Sequence, residues 1–257
     1  MMLVLITATS FLASLLTLFS GFGLGSLLMP VVAIFFPVAT AVALTAVVHL
    51  FNNLFKLAVM WRDIDWRITV VFGVPALLAA IPGAWLLTYL SQSPSLAVYE
   101  ILGHEAVISP VKLTIGALLI LFALIEWSGI DRKLTMPARF LSLGGVLSGF
   151  FGGLSGHQGA FRSACLLHTG MNTGEFIASN VAIAAMVDSA RLLVYGLNLS
   201  ALMAQREAGL IAAATLAACA GVLVGKTLIR NITIALVRRL VAVMLLLLGG
   251  LIAAGII

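Results

Sequence analysis

Six stretches of the chain are apolar almost without interruption and of bilayer-spanning length: residues 39–60, 68–90, 111–127, 176–195, 208–227 and 236–256. A transmembrane helix needs about 20 such residues. Two further apolar runs break the pattern. Residues 3–36 and 138–169 are each over thirty long, too long for one span and short for two full ones. Each carries glycine and serine at its middle, SGFGLGS from Ser20 to Ser26 and SGHQG from Ser155 to Gly159. The economical reading is a helical hairpin in each run, two short helices meeting at a Gly-rich tip inside the membrane. Broken backbone at that depth is tolerated only where it is buried in protein or lines a wet cavity. The pattern therefore predicts an all-α polytopic membrane protein.

Charge placement tests the hairpins. If each long run leaves on the side it entered, one side receives Arg62, Arg67, Arg132, Lys133, Arg139, Lys226, Arg230, Arg238 and Arg239. The other side receives Lys112 and Arg206. The positive-inside rule then places the basic loops in the cytoplasm and both termini outside. If each long run crossed once, the basic residues would divide almost evenly. Two short full spans per run give the same parity as a hairpin. The first apolar run has neither a basic leader nor an A-x-A-like cleavage site, so no removable signal peptide is expected.

An internal repeat is the next expectation. Sliding the chain on itself by 135 residues lays Ser20-Gly21 on Ser155-Gly156, Asn53 on Asp188, Lys56 on Arg191 and Met60 on Tyr195. The proposed first repeat is residues 1–128, with hairpin 3–36 and spans 39–60, 68–90 and 111–127. The second is residues 129–257, with hairpin 138–169 and spans 176–195, 208–227 and 236–256. Three spans per repeat is an odd number, so the second half enters the membrane inverted, a recurrent design of secondary transporters. The main asymmetry is the loop from Ser91 to Pro110. There Leu96, Tyr99 and Leu102 are spaced for one face of a short interfacial helix.

Composition narrows the function. Hydrophobic residues make up 62% of the chain and charged ones 9%, with a mean hydropathy of +1.20. Soluble domains are about one quarter charged, so the net charge of +5 is an orientation signal rather than a nucleic-acid surface. Cys165 and Cys219 lie inside apolar runs and suggest neither disulfide nor metal. No phosphate-binding loop is present, which excludes ATP-driven transport by this chain alone, and no cofactor is implied. Gly153-Leu154-Ser155-Gly156 spells the GxSG of rhomboid-type intramembrane proteases. Such a serine needs a histidine base on a later helix, and no histidine follows His168, so an enzyme is not expected.

The polar residues inside the apolar runs are the candidates for chemistry, because ionisable groups at that depth mark ligand or ion pathways. Arg162 falls in the first turn after the second tip, where a guanidinium and a helix N-terminus both favour an anion. His157 and Gln158 at the tip offer donors, and Ser20 holds the matching place in the first tip. The alternative is that Arg162 caps or pairs internally with no ligand. Thr45, His49, Asn52, Asn53 and Lys56 recur at helical spacing on roughly one face. Asn180, Asp188 and Arg191 do the same in the second half, with Asp188 and Arg191 spaced to pair. Lys56 and Arg191 are either gates at opposite ends of a pathway or residues that snorkel from helix ends. His49 or His157 permits proton coupling. His168, Glu175 and His104 fall where water is available and read as solvated. Gly116, Gly249 and Gly250 permit close helix contacts within one protomer or in a homodimer.

The two Gly-rich segments, SGFGLGSLLMP (Ser20–Pro30) and SGHQGAFRSACLL (Ser155–Leu167), resemble those of the TauE/SafE sulfite exporter family, of the 4-toluene sulfonate uptake permease type. FIASNVAIAAMVDSARLLVY (Phe176–Tyr195) is similar to the element after the second motif in one subgroup. The resemblance covers essentially the whole chain, and GxQGAxRSA (Gly156–Ala164) is its most specific part. It implies a multi-pass permease of the bacterial inner membrane that moves a small anion such as sulfite or a sulfonate, for example sulfoacetate. It further implies that His157, Gln158, Arg162 and Ser163 belong to the substrate region, and its name favours export. The first motif departs from the second, with Ser26 and Leu27 where the second has Phe161 and Arg162, so the two hairpins cannot contribute equally. An uncoupled anion channel and a non-transporting scaffold are the competing readings.

Overall fold

The computed structural model describes residues 1–17, 23–101, 103–129, 138–167, 169–199, 208–228 and 234–257. The helices follow the apolar runs: α1 Met2–Thr17, α2 Gly25–Ala33, α3 Val38–Met60, α4 Trp66–Ser91, α5 Pro110–Ser128, α6 Leu141–Ser155, α7 Gly159–Leu166, α8 Thr173–Leu199, α9 Ala208–Leu228 and α10 Ile234–Ala253. Local chemistry sets several of the boundaries. Asp65 caps α4 by accepting from the Ile68 amide at 3.0 Å, and Ser109 caps α5 ahead of Pro110 at the first helical position. Gly129 closes α5 in the left-handed region at φ 64°.

Among the described residues, five helices are long and apolar enough to cross a membrane: α3, α4, α5, α8 and α9. The chain is an all-α polytopic membrane protein. Exposed Trp61, Trp66 and Trp127 stand at the ends of α3, α4 and α5 that share one side. Arg62 lies 5.4 Å over the Trp61 ring there. Exposed aromatic rings at helix ends are the expected dress of a membrane–water interface.

Both long apolar runs are broken where glycine and serine cluster. In the second, α6 ends at Ser155, Gly156 turns at φ 80°, and α7 starts at Gly159. The chain then doubles back: Gly152 lies beside Gln158, and Gly144 beside Cys165. In the first run, α1 ends at Thr17 and α2 starts at Gly25. Ile6 of α1 faces the same small apolar cavity as Leu28 and Val32 of α2. The nine residues of α2 and eight of α7 rise about 13 and 12 Å, far less than a ~30 Å hydrocarbon core. Ser155, His157 and Gln158 are buried, so the second tip ends inside the bundle.

The packing is set by backbones that touch. On α6, Gly145, Gly149 and Gly153 pass over Phe72, Ala76 and Ala80 of α4, and a Cβ at Gly149 would lie 2.0 Å from the Ala76 carbonyl oxygen. Without a hydrophobic drive between helices in lipid, such close approach supplies the attraction. The most extensive helix pairs recur when the halves are exchanged. α4 packs on α6 as α9 packs on α1, α4 on α8 as α9 on α3, while α5 packs on α10 and α3 on α8. Gly83 of α4 meets the Phe150 carbonyl of α6, and Gly221 of α9 meets that of Phe11 in α1. Gly116 and Gly249 meet each other within the chain, whereas Gly250 has nothing within 4 Å.

The loop after α4 departs from expectation. Leu96 and Tyr99 do not lie on an interfacial helix, and Leu102 lies outside the described residues; the chain folds as an antiparallel hairpin of β1 Ala97–Ile101 and β2 His104–Ile108, with Ala97 opposite Ile108 and Ile101 opposite His104. Val98, Tyr99 and Ile101 of β1 and Val107 and Ile108 of β2 favour the pleat. Gly103 at φ 76° allows the two-residue turn. The hairpin is tied to the end of α10, with the Val107 amide donating to the Gly255 carbonyl at 3.1 Å.

The α4–α6 contact gives a stability test. Gly149→Ala is expected to cost about 1–3 kcal/mol through overpacking, seen as a lower midpoint in thermal melts of detergent-solubilised protein. Gly250→Ala, in open space, should leave the midpoint unchanged or raise it.

Candidate functional site between the two helix breaks

Asp188 sits completely buried near the middle of α8. Its Oδ1 accepts from Arg191 Nη2 at 2.7 Å, Arg191 Nε at 3.0 Å and Gln158 Nε2 at 3.3 Å. Its Oδ2 accepts from Asn53 Nδ2 at 3.0 Å and lies 2.6 Å from His49 Nδ1. A carboxylate can only accept, so His49 presents Nδ1–H to it. One carboxylate thus holds together α3, α8 and the second tip. Asn53 and Asp188, equated by the 135-residue shift, touch each other.

Arg191 is one turn further along α8 and completes a latch onto the second tip. Its Nη1 reaches the Gly152 carbonyl at 3.4 Å, and a Cβ at Gly156 would lie 2.9 Å from that nitrogen. The Tyr195 hydroxyl donates to the Gly153 carbonyl. The tip braces itself as well. Ser148 Oγ donates to the Gln158 carbonyl at 3.0 Å. His157 directs Nδ1 at the Ser155 carbonyl at 3.0 Å, its ring stacked 5.5 Å from Phe122.

Arg162 has a different environment. Its Nε donates to Asn180 Oδ1 and its Nη1 to Gln158 Oε1 at 2.9 Å. Both partners are neutral, and among the described residues no carboxylate lies within ion-pair distance. The guanidinium faces a small cavity of about 30 Å³, lined by Thr17, Gly23, Leu24, His49, Asn53, Lys56, Arg162 and one face of the N-terminal part of α8. That face consists of Phe176, Ile177, Asn180, Val181 and Ala184. The cavity occupies the half of the bundle where α3 ends and α8 begins, beside the first tip.

The structure sorts the sequence candidates into three groups. Arg162, His49, Asn53, Lys56 and Asn180 line the cavity together. Gln158, Asp188, Arg191 and His157 stand around it, orienting the lining rather than facing the space. Asn52 and Ser163 do not reach the lining: Asn52 turns to α1, where its Oδ1 accepts from Ser14 Oγ at 3.2 Å. Ser20 and His168 lie outside the described residues, as do Arg132, Lys133, Arg206 and Arg230 and the side chains of His104, Lys226 and Arg238. Lys56 and Arg191 do not snorkel, since both are buried, 6% and 1% exposed. They are not equivalent either: Arg191 is locked to Asp188, whereas Lys56 has no ion-pair or hydrogen-bond partner among the described residues. Phe176, Ile177, Val181 and Ala184 escaped sequence reasoning. Their signal was the shared helical face with Asn180.

The model of the sulfite exporter TauE/SafE family matches residues 6–252. The chain belongs to the TauE/SafE sulfite exporter family. No curated protein and no solved structure matched it significantly. The TauE/SafE family consists of membrane transporters rather than enzymes, and its anion-exporting character accords with a buried guanidinium that faces open space. The GxQGAxRSA motif of this TauE/SafE chain maps onto a physical unit, from the left-handed Gly156 to the cavity-facing Arg162.

Asp188→Ala would leave Arg191 buried without its counter-charge. Breaking a buried pair costs about 3–5 kcal/mol, against roughly 1 kcal/mol for loss of the Asp65 helix cap in Asp65→Ala. Thermal melts of the two variants side by side should therefore show the larger drop for Asp188→Ala.

Proposed function

We propose that the protein is a secondary transporter that exports small sulfur-containing anions, sulfite or organosulfonates such as sulfoacetate. It works by alternating access, with the anion held between the hairpin tips near the bilayer midplane. The observation that carries this reading is Arg162: fully buried, bonded only to neutral groups among the described residues and facing a cavity between two helix breaks. A permanently charged guanidinium in that position requires an anion to offset its desolvation. His157 and Gln158 shape the tip, and His49 and Asn53 bring donors from α3.

The helix pairs that recur on exchange and the contact between Asn53 and Asp188 support two inverted repeats, 1–128 and 129–257. In an inverted-repeat carrier the two half-pathways swap roles between states. Here one half holds the cationic cavity, and the positions matched to Asn53 and Lys56 by the 135-residue shift are Asp188 and Arg191, which are locked together. Arg191, Tyr195 and the second tip form the closed gate. The lining lies in the half of the bundle where α3 ends and α8 begins, the half that carries the basic loops; in this reading that side is the cytoplasm of a bacterial inner membrane and both termini are outside. His49 against Asp188 is the natural proton-coupling pair, and Gly250, unused within the chain, suits a homodimer contact.

In proteoliposomes, Arg162→Ala is expected to abolish sulfite and sulfoacetate flux and Arg162→Lys to reduce it at least tenfold. Unchanged affinity for every anion in both variants would remove Arg162 from the site. Substrate counterflow and saturation separate a carrier from an uncoupled channel, whose flux rises linearly with concentration. Phe176→Cys in a background of Cys165→Ser and Cys219→Ser should react with a membrane-impermeant thiol reagent from the cytoplasmic face only. Labelling from the opposite face would reverse the orientation.

A further inference from the structure

Among the described residues, three cations are buried in the interior: Lys56, Arg162 and Arg191. The chain has nine acidic residues, and among the described ones only Asp188 and Glu126 are buried. Asp188 is fully engaged by Arg191, His49, Asn53 and Gln158. Glu126 sits on α5, which contributes nothing to the cavity lining. Arg162 and Lys56 therefore share one cavity as two positive charges with no carboxylate at ion-pair distance among the described residues. A third donor points the same way: Asn180, 4% exposed and part of the lining, has an amide nitrogen with no hydrogen-bond partner.

We propose that Lys56 is a second anion-binding residue alongside Arg162, so that the cavity selects doubly charged small anions over singly charged and zwitterionic ones. This rests on the anion-transport reading above and adds to it a residue and a charge state. A buried charge left without a partner is costly in a medium that cannot solvate it. A dianion neutralises both cations at once, whereas a monoanion leaves one unpaired. An amino-sulfonate zwitterion would bring an ammonium group toward Lys56 and Arg162. The remaining lining, Leu24, Phe176, Ile177, Val181 and Ala184, is apolar and accommodates a short carbon linker. A sulfonate and a carboxylate joined by one or two carbons fits this arrangement; a long polar chain does not. Because Lys56 lies two turns along α3 from His49, its ammonium is presented on the same face as the His49 and Asn53 donors.

The test uses full-length protein in lipid nanodiscs and calorimetric titration with three probes of nearly equal size. These are sulfoacetate (two negative charges), sulfoacetamide (one) and taurine (none net). Wild-type protein is expected to bind sulfoacetate at least tenfold more tightly than sulfoacetamide, with taurine weakest. Lys56→Gln should bring sulfoacetate down to the level of sulfoacetamide while leaving sulfoacetamide within about threefold of wild type. Lys56→Arg should retain the preference, which distinguishes a charge effect from a folding defect. Equal affinity for the two sulfonates in wild type, or a preference that survives in Lys56→Gln, overturns the two-cation site and leaves the Arg162 site standing. Absence of binding by any probe overturns both.

Discussion

The Asp188 carboxylate is the constraint on which the interior depends. It is the one acidic group in the core of α8, and it draws Arg191 from its own helix, His49 and Asn53 from α3 and Gln158 from the second tip. In a low-dielectric interior an incompletely satisfied charge is expensive and a saturated one is rigidifying. By collecting its partners from three separate segments, Asp188 fixes where the broken helix stops relative to the two long central helices. Arg191 passes that order on to the backbone at Gly152, and the positive-φ Gly156 accepts its close approach. Gln158 then serves both sides of the divide, giving its amide nitrogen to Asp188 and its oxygen to Arg162.

This arrangement splits the polar interior into a balanced part and an unbalanced part. Around Asp188 the charges are paired and the hydrogen bonds are dense. One helical turn or two away, Arg162 and Lys56 border a cavity with neutral partners only among the described residues. A protein that sought only stability would gain from an acidic residue there, because removing cations from water is costly. In the proposed anion-transport reading the missing charge arrives with the ligand, and the dense network around Asp188 holds the neighbouring backbone still. The two halves are asymmetric at the same feature: Leu27 occupies the first motif where Arg162 stands in the second.

Close backbone contact makes such a polar interior affordable in lipid. Gly145, Gly149 and Gly153 lay α6 directly on α4, and Gly116 meets Gly249 between α5 and α10. Side chains at those positions would hold the helices apart and widen the space around the tips. The glycines of the hairpins and those of the helix faces therefore act at different levels, the first permitting the chain to turn and the second setting how closely the scaffold closes around that turn.

The sequence by itself determined the membrane class, the places where the two long apolar runs break and the polar residues that fall inside them. Those are properties of hydrophobic length and of glycine and serine placement, and they are local. Spacing also paired Asp188 with Arg191, since both lie on one helix. The loop of residues 91–110 was misread because helical spacing of Leu96, Tyr99 and Leu102 competed with strand-forming valine, isoleucine and tyrosine, and a glycine at positive φ decided for the hairpin. Only the tertiary structure decided that Asn52 faces Ser14 while Asn53, its neighbour, faces Asp188, because a rotation of about 100° per residue separates them and the packing partner sets which face is inside. It alone separated Arg191, saturated by a carboxylate, from Lys56, left open to the cavity. Charge balance in a buried site is a sum over segments distant in the chain, and no local pattern carries that sum.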